Sequence, residues 1–230
     1  MSADPSEMPL LPMPAVLFPG TFLPVHISEA PHRQLLRTCA EEGRSLGVLL
    51  NTGYAGNSSP MLPRVMGCVA SITLLIDSED KDTMGAVFYG EQRMRVVRFT
   101  QQEPHVTAQI ELLSEYPGLH AERRTKQASQ LFQRYLNLVR QRYHAQVVNV
   151  PLPDDPIIAS YLLAAVLYLP LETKQRWLES ASAEMRLQEE LAFLNAECDK
   201  LTTILALSQH TQRHYATPDS HLFASLVSQN

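Results

Sequence analysis

The chain has 230 residues, 45% hydrophobic and 19% charged, which allows one or two domains with a real core and excludes a disordered, collagen-like or disulfide-stapled protein. Its net charge of −5 gives no general pull toward nucleic acid or anionic lipid. Three widely spaced cysteines (Cys39, Cys68 and Cys198) form no CxxC pair and fit a reducing compartment.

The first residues, MSADPSEM, lack the basic and apolar regions of a secretory signal. The longest apolar run, Ile157–Leu169, is too short to span a bilayer. A cytoplasmic protein without membrane contact is therefore expected.

Composition divides the chain. All nine glycines lie at or before Gly118, as do most of the prolines. These residues punctuate turns, so short strands are expected first and helices second, with a boundary at Pro117-Gly118. The expected layout is a β-barrel over residues 8–117, a helical bundle over 120–209 and a tail over 210–230.

Ala15–Phe18 and Phe22–Ile27 read as strands split by the turn dipeptide Pro19-Gly20. Pro9, Pro12, Pro14 and Pro24 lack ladder donors, which predicts edge or irregular strands. Pro31–Glu42 is helical, with Gly43 suited to its C-terminal cap. Ser45–Asn51 is a short buried strand, and Tyr54–Pro63 is a loop. Arg64–Asp77, Thr83–Tyr89, Met94–Gln102 and His105–Leu113 are further strands. In the last of these, Val106, Ala108, Ile110 and Leu112 alternate with polar residues. Asp77–Asp82 is a solvated hairpin turn. About six strands and one helix imply a small closed barrel, because closure removes sheet edges.

The rest reads as helices. Leu131, Phe132, Tyr135, Leu136, Leu138, Val139 and Tyr143 form a broad apolar stripe on Glu122–His144. Asp154-Asp155-Pro156 is a strong helix start for a segment running to Leu169, where Pro170 stops it. A short helix, Glu172–Ser180, carries the single Trp177. A long helix begins after Ser182 and runs to about Gln209. A four-helix bundle is expected.

Chemical motifs mostly fail. Gly43-Arg44-Ser45-Leu46-Gly47 matches G-x-S-x-G, but the nucleophile elbow needs strand, serine, helix, and here a helix precedes a strand. No phosphate-binding loop or H-E-x-x-H motif is present. His26 and His32 have no third ligand nearby, so no metal and no cofactor are expected.

Met8–Ile27 resembles the opening of the Lon protease N-terminal domain, an apolar-proline stretch followed by V-x-F-P-G and L-P-L-x-I. Val16, Phe18, Pro19, Gly20, Leu23, Pro24 and Ile27 occupy that pattern. Leu46-Gly47-Val48, Arg64–Ala70 and Gly90–Val96 resemble its later strands. Asp154–Leu187 resembles its helical segment, with Lys174-Gln175-Arg176-Trp177-Leu178-Glu179 and Arg186-Leu187 at the family's K-Q-x-L-L-E and R-L. The chain departs from the pattern at His26, Ser28 and Met94.

The likeness covers residues 8–207 and implies an α+β fold, a PUA-like β pseudobarrel followed by a helical bundle. In Lon-type proteases this region binds protein substrates, and the ATPase and serine–lysine protease modules lie later in the chain. The resemblance therefore implies a non-catalytic module that binds unfolded or specific partner polypeptides, working with or without a separate protease.

Phe18 and Phe22 flank the Pro-Gly turn, where they either present apolar surface or pack in the core. With His26 and Arg93 they are the candidate binding residues. Arg93 has a second reading as a structural ion pair. The alternative is an RNA-binding module using Arg123, Arg124, Lys126 and Arg140 on the basic helix. The net charge of −5 over residues 1–118 weighs against RNA on the barrel itself.

Overall fold

The computed structural model describes residues 6–51, 64–78, 82–143 and 151–215. The elements are β1 (Ser6–Met13), β2 (Phe22–Ile27), α1 (Ala30–Glu42), β3 (Leu46–Leu50), β4 (Met66–Asp77), β5 (Met84–Gln101), β6 (Thr107–Leu112), α2 (Ala121–Tyr143), α3 (Pro156–Val166), α4 (Leu171–Glu179) and α5 (Ala183–Tyr215). The strands form one sheet in the order β2-β5-β4-β3-β1-β6, and an additional β5–β6 pairing closes it. Five strands thus make a ring, and β2 hangs on the first half of β5.

Two compact units emerge. One holds the described residues up to Thr125 together with Leu152–Glu190. The other holds those from Lys126 to Pro151 and from Leu191 onward. This division crosses the chain order rather than falling at residues 117–120.

Closure depends on how β1 shares its partners. Residues 6–9 pair antiparallel with β6, and residues 10–13 pair parallel with β3. The Leu10 N–H donates to the Val106 carbonyl at 2.8 Å, and the Asn51 N–H donates to the Met13 carbonyl at 2.9 Å. Backbone groups alternate sides along a strand. Met8 and Leu10 therefore face β6, whereas Leu11 and Met13 face β3. Pro9 and Pro12 turn their missing donors toward the side on which their half of β1 has no ladder partner. That is how a strand with two prolines sits inside the sheet rather than at its edge, as its prolines had suggested.

β5 also departs from expectation. The two expected strands Thr83–Tyr89 and Met94–Gln102 are one 18-residue strand. Its register against β4 shifts between Val69 and Ala70, where Ala70 pairs Gly90 and Val69 pairs Gln92. This bulge bends one strand through the barrel. Gly90 is required there, because a Cβ would lie 2.2 Å from the Phe18 carbonyl oxygen.

Ala15–Phe18 is not a strand. It belongs to the connection between β1 and β2, with Leu17 and Phe18 buried and Gly20 at φ 74°. The Thr21 hydroxyl donates to the Phe18 carbonyl at 2.8 Å and supplies the local order that a ladder would otherwise give.

The strands bury apolar side chains on both sides. Leu10, Leu49, Val69, Met94, Val96, Ala108 and Ile110 form one core, and Leu11, Val48, Cys68, Ala86 and Phe88 join α1 residues Leu35, Leu36 and Cys39 in another. Cys68 is buried, which pushes its thiol up to about 12 and leaves it inert.

The helices start as expected. Asp155 caps α3, its carboxylate accepting from the Ile157 and Ile158 N–H groups at 2.9 Å each. α3 stops at Val166 instead of Leu169, with Leu167 already extended, because a helix carried on through Pro170 would set the proline ring against the Val166 carbonyl. α5 continues to Tyr215, beyond the expected Gln209. The expected loop Tyr54–Pro63, half of the turn Asp77–Asp82 and most of the tail 210–230 lie outside the described residues.

Candidate functional site

The first strand pair decides where the molecule is open. The Gly90 N–H donates to the Thr21 carbonyl at 2.9 Å, and Phe22 pairs Tyr89 with no register shift along β2. By alternation, Leu23, Val25 and Ile27 bond β5, and the backbones of Phe22, Pro24 and His26 face away from it. Among the described residues β2 has no other ladder partner, so this is the free edge of the sheet. Beside it, the second half of β1 is also unpaired on one side. Between these strands lies a groove of about 460 Å³, whose walls include Leu11, Pro12, Met13, Pro24 and His26. It is the seam of the barrel.

The outer face of β2, β5 and β4 is apolar, and among the described residues nothing covers it. Its rows are Phe22/Tyr89/Ser71, Pro24/Val87/Leu74 and His26/Gly85/Ile76. Phe22, Leu74 and Ile76 are 62%, 47% and 58% exposed. The Phe22 and Tyr89 rings lie 5.1 Å apart at 51°. No lysine, arginine, aspartate or glutamate stands in these rows. Exposed apolar residues gathered on one face in this way differ from ordinary scattered exposure.

The structure separates the four candidate residues. Phe22 is on this face, and His26 is exposed at its border with the groove. Phe18 is fully buried, its ring 5.9 Å from that of Tyr161, so it packs in the interior and offers no surface. Arg93 is 1% exposed and likewise cannot meet a partner.

Arg93 instead anchors a buried polar cluster. Its Nε donates to Glu115, and its other nitrogens donate to the carbonyls of Leu178 (3.1 Å), Glu179 (3.2 Å) and Ser114 (3.0 Å). Arg186 comes to the other oxygen of Glu115 at 3.2 Å. It also donates to the Ser160 hydroxyl at 3.0 Å, and its Cζ lies 3.9 Å from the centre of the Tyr161 ring. One carboxylate thus bridges two buried guanidinium groups. Burial pushes the Tyr161 hydroxyl far above its ordinary range, the nearby arginines opposing the shift only in part. This is a structural junction, the second reading of Arg93.

The basic residues all stand on α2, Arg123 and Arg124 in the first unit and Lys126 and Arg140 in the second. Arg124 is paired with Glu184 at 3.4 Å, and Arg140 reaches Asn137 at 3.4 Å. Arg123 and Lys126 are exposed. The second unit has its own cleft of about 380 Å³, lined by Gln127, Gln130, Leu131, Arg134, Leu191 and Asn195.

Ser45 donates to the Glu91 carboxylate at 3.3 Å, and the element directly after it is the strand β3 rather than a helix. Among the described residues no group of three or more histidines, cysteines or carboxylates is placed to hold a metal ion, and no helix is long and apolar enough to cross a membrane. Tyr89, Leu74 and Ile76 escaped the sequence reading. The signal for them was present, since apolar side chains alternate on both faces of those strands, but the pattern does not tell which face stays uncovered.

Comparison with known proteins agrees with this architecture. The chain is 28% identical over 211 residues to Lon protease of Syntrophus aciditrophicus, covering 86% of this chain and 26% of that protein. It is 24% identical over 201 residues to Lon protease of Escherichia coli, covering 85% of this chain and 25% of that protein. It therefore spans about a quarter of the length of these relatives.

Among solved structures, the N-terminal domain of the Mycobacterium avium complex Lon protease superposes with a TM-score of 0.64 at 15% identity, over 83% of this chain and 98% of that one. A Lon N-terminal domain protein from Xanthomonas campestris superposes with a TM-score of 0.59 at 19% identity, over 81% and 98%. The family model for the ATP-dependent protease La (LON) substrate-binding domain matches residues 7–196, most of the described chain, and the protein belongs to that family.

Proposed function

We propose that this chain is a non-catalytic module that binds extended or unfolded polypeptide segments, through the apolar outer face around Phe22 and Tyr89 and the adjoining free edge of β2. The observation that carries this reading is the coincidence of the two features. A strand edge with an unpaired N–H and carbonyl at Phe22 lies directly beside an exposed, uncharged apolar face. Edge groups give main-chain affinity and the face gives side-chain contact, which is how extended peptides are recognised. Membership in a substrate-binding family supports the same kind of partner.

Nucleic acid is the weaker reading. Arg124 and Arg140 already engage other side chains, and the outer sheet face carries no cation. The test is a titration of the full chain with a permanently unfolded, carboxymethylated model protein and with single-stranded RNA at 50 and 200 mM salt. Binding of the unfolded protein should respond little to salt and weaken in Phe22→Ser. RNA binding alone, losing roughly a thousandfold between the two salt levels for about six phosphate contacts, would overturn the proposal.

A further inference from the structure

The seam has an unusual hydrogen-bonding character. Each strand that flanks it places a proline there, Pro12 on β1 and Pro24 on β2. Alternation aims the backbone of both away from their ladder partners and toward the open side. A proline carries a carbonyl and no N–H. The seam therefore presents two carbonyl oxygens without the donors that would ordinarily accompany them, and on this stretch of β2 His26 supplies the remaining free N–H.

Glu29 adds a carboxylate at one end of the groove. It is 63% exposed and meets His32 Nδ1 at 3.2 Å. Among the described residues no lysine or arginine lines the groove. Its floor is apolar, with Leu11, Met13, Val25 and Ile27.

Main-chain pairing is open at Phe22, but a backbone strand fits the stretch opposite Pro12 and Pro24 poorly, because its carbonyls would find no donors there. A side chain that only donates fits it well. Lysine has three donors and no acceptor, and arginine has five. Both have an aliphatic stem that lies along apolar surface while the charged head reaches polar groups. We propose that the seam groove is a subsite for a lysine or arginine side chain of the bound polypeptide; this rests on the polypeptide-binding reading above. The stem packs on the floor, and the head donates to the Pro12 and Pro24 carbonyls and pairs with Glu29.

The experiment uses the full chain and three fluorescein-labelled synthetic peptides. They share one host sequence of alternating apolar residues and differ at a single central position, which is lysine, norleucine or glutamate. Norleucine keeps the stem and removes the charge. By fluorescence anisotropy the lysine peptide should bind about fivefold tighter than the norleucine peptide, as expected for a partly solvated charge pair, and the glutamate peptide should bind weakest. Glu29→Gln, at an exposed position that makes no side-chain cap to α1, should shrink the lysine preference to under about twofold. Pro24→Ala, which restores a donor, should also weaken the lysine peptide selectively.

Equal binding of lysine and norleucine peptides to the unaltered protein would overturn the subsite. So would a lysine preference that survives intact in both Glu29→Gln and Pro24→Ala. If peptides bind and depend on Phe22 but show no preference, the subsite fails and the binding reading stands. If none of the three peptides binds, both fail.

Discussion

The junction around Glu115 and the face around Phe22 invert the usual expectation for their residue types. Arg93 and Arg186 are charged and almost wholly buried, whereas Phe22 is aromatic and 62% exposed. The arginines are tolerated inside because one carboxylate and several carbonyls receive most of their donors, Arg186 Nη2 being left without a partner. Phe22 stays outside because no described element covers the outer face of β2, β5 and β4. Burial in this molecule follows from who is available to pair or cover a group, and a residue's own polarity only sets the cost of failure.

The largest expected effect is at the junction. Glu115→Ala leaves two buried guanidinium groups facing each other without their shared carboxylate. It should cost about 3–5 kcal/mol, read as a lowered urea midpoint at neutral pH. Phe22→Ser should change stability by less than about 0.5 kcal/mol in the same measurement. If the two variants unfold alike, the contrast between the regions is false.

The second effect is on binding. Phe22→Ser should weaken the carboxymethylated protein about tenfold, in the range expected for an aromatic contact near the centre of an interface. Unchanged affinity would move the binding surface away from this face.

A smaller and pH-dependent effect is expected at Glu190. Its carboxylate is buried with no hydrogen-bond partner for either oxygen. Burial raises its affinity for a proton well above the ordinary carboxylate range, opposed by Arg186 and aided by Glu189. The folded state therefore holds a proton that the unfolded state releases. Stability should fall as pH rises from the ordinary carboxylate range up to the folded-state value. Glu190→Gln should remove that decline and raise the melting temperature at pH 8 relative to pH 5, compared with the unaltered protein. An identical pH profile in the variant would place Glu190 outside the protonated class.

The smallest effect is at the basic helix. Arg124→Ala removes a partly exposed pair with Glu184 and should cost under about 1 kcal/mol. Neither it nor Arg140→Ala should alter binding of the unfolded protein. A loss in both variants would transfer the site from the sheet face to α2.

Much of this was legible in the residues. The alternation of Val106, Ala108, Ile110 and Leu112 marked β6, and Asp155-Pro156 marked the start of α3 because a carboxylate cap and a proline with no N–H suit that position. The F-P-G opening and the ordered motifs pointed to the LON fold. Of the four candidate residues, Phe22 and His26 lie at the surface, whereas Phe18 and Arg93 are interior. A Pro-Gly turn states that the chain reverses and leaves open which flanking phenylalanine is covered.

By itself, then, the sequence determined element types, caps and turns, because helix periodicity, proline's missing donor and glycine's freedom act within a few residues of one another. Tertiary structure alone decided three things. It joined two expected strands into β5 through a bulge where Gly90 meets the Phe18 backbone, it seated Arg93 beside Glu115, and it left β2 without a second partner. Each depends on groups that meet across the sheet or between elements distant in sequence, and such meetings are settled by pairing and packing rather than by local preference.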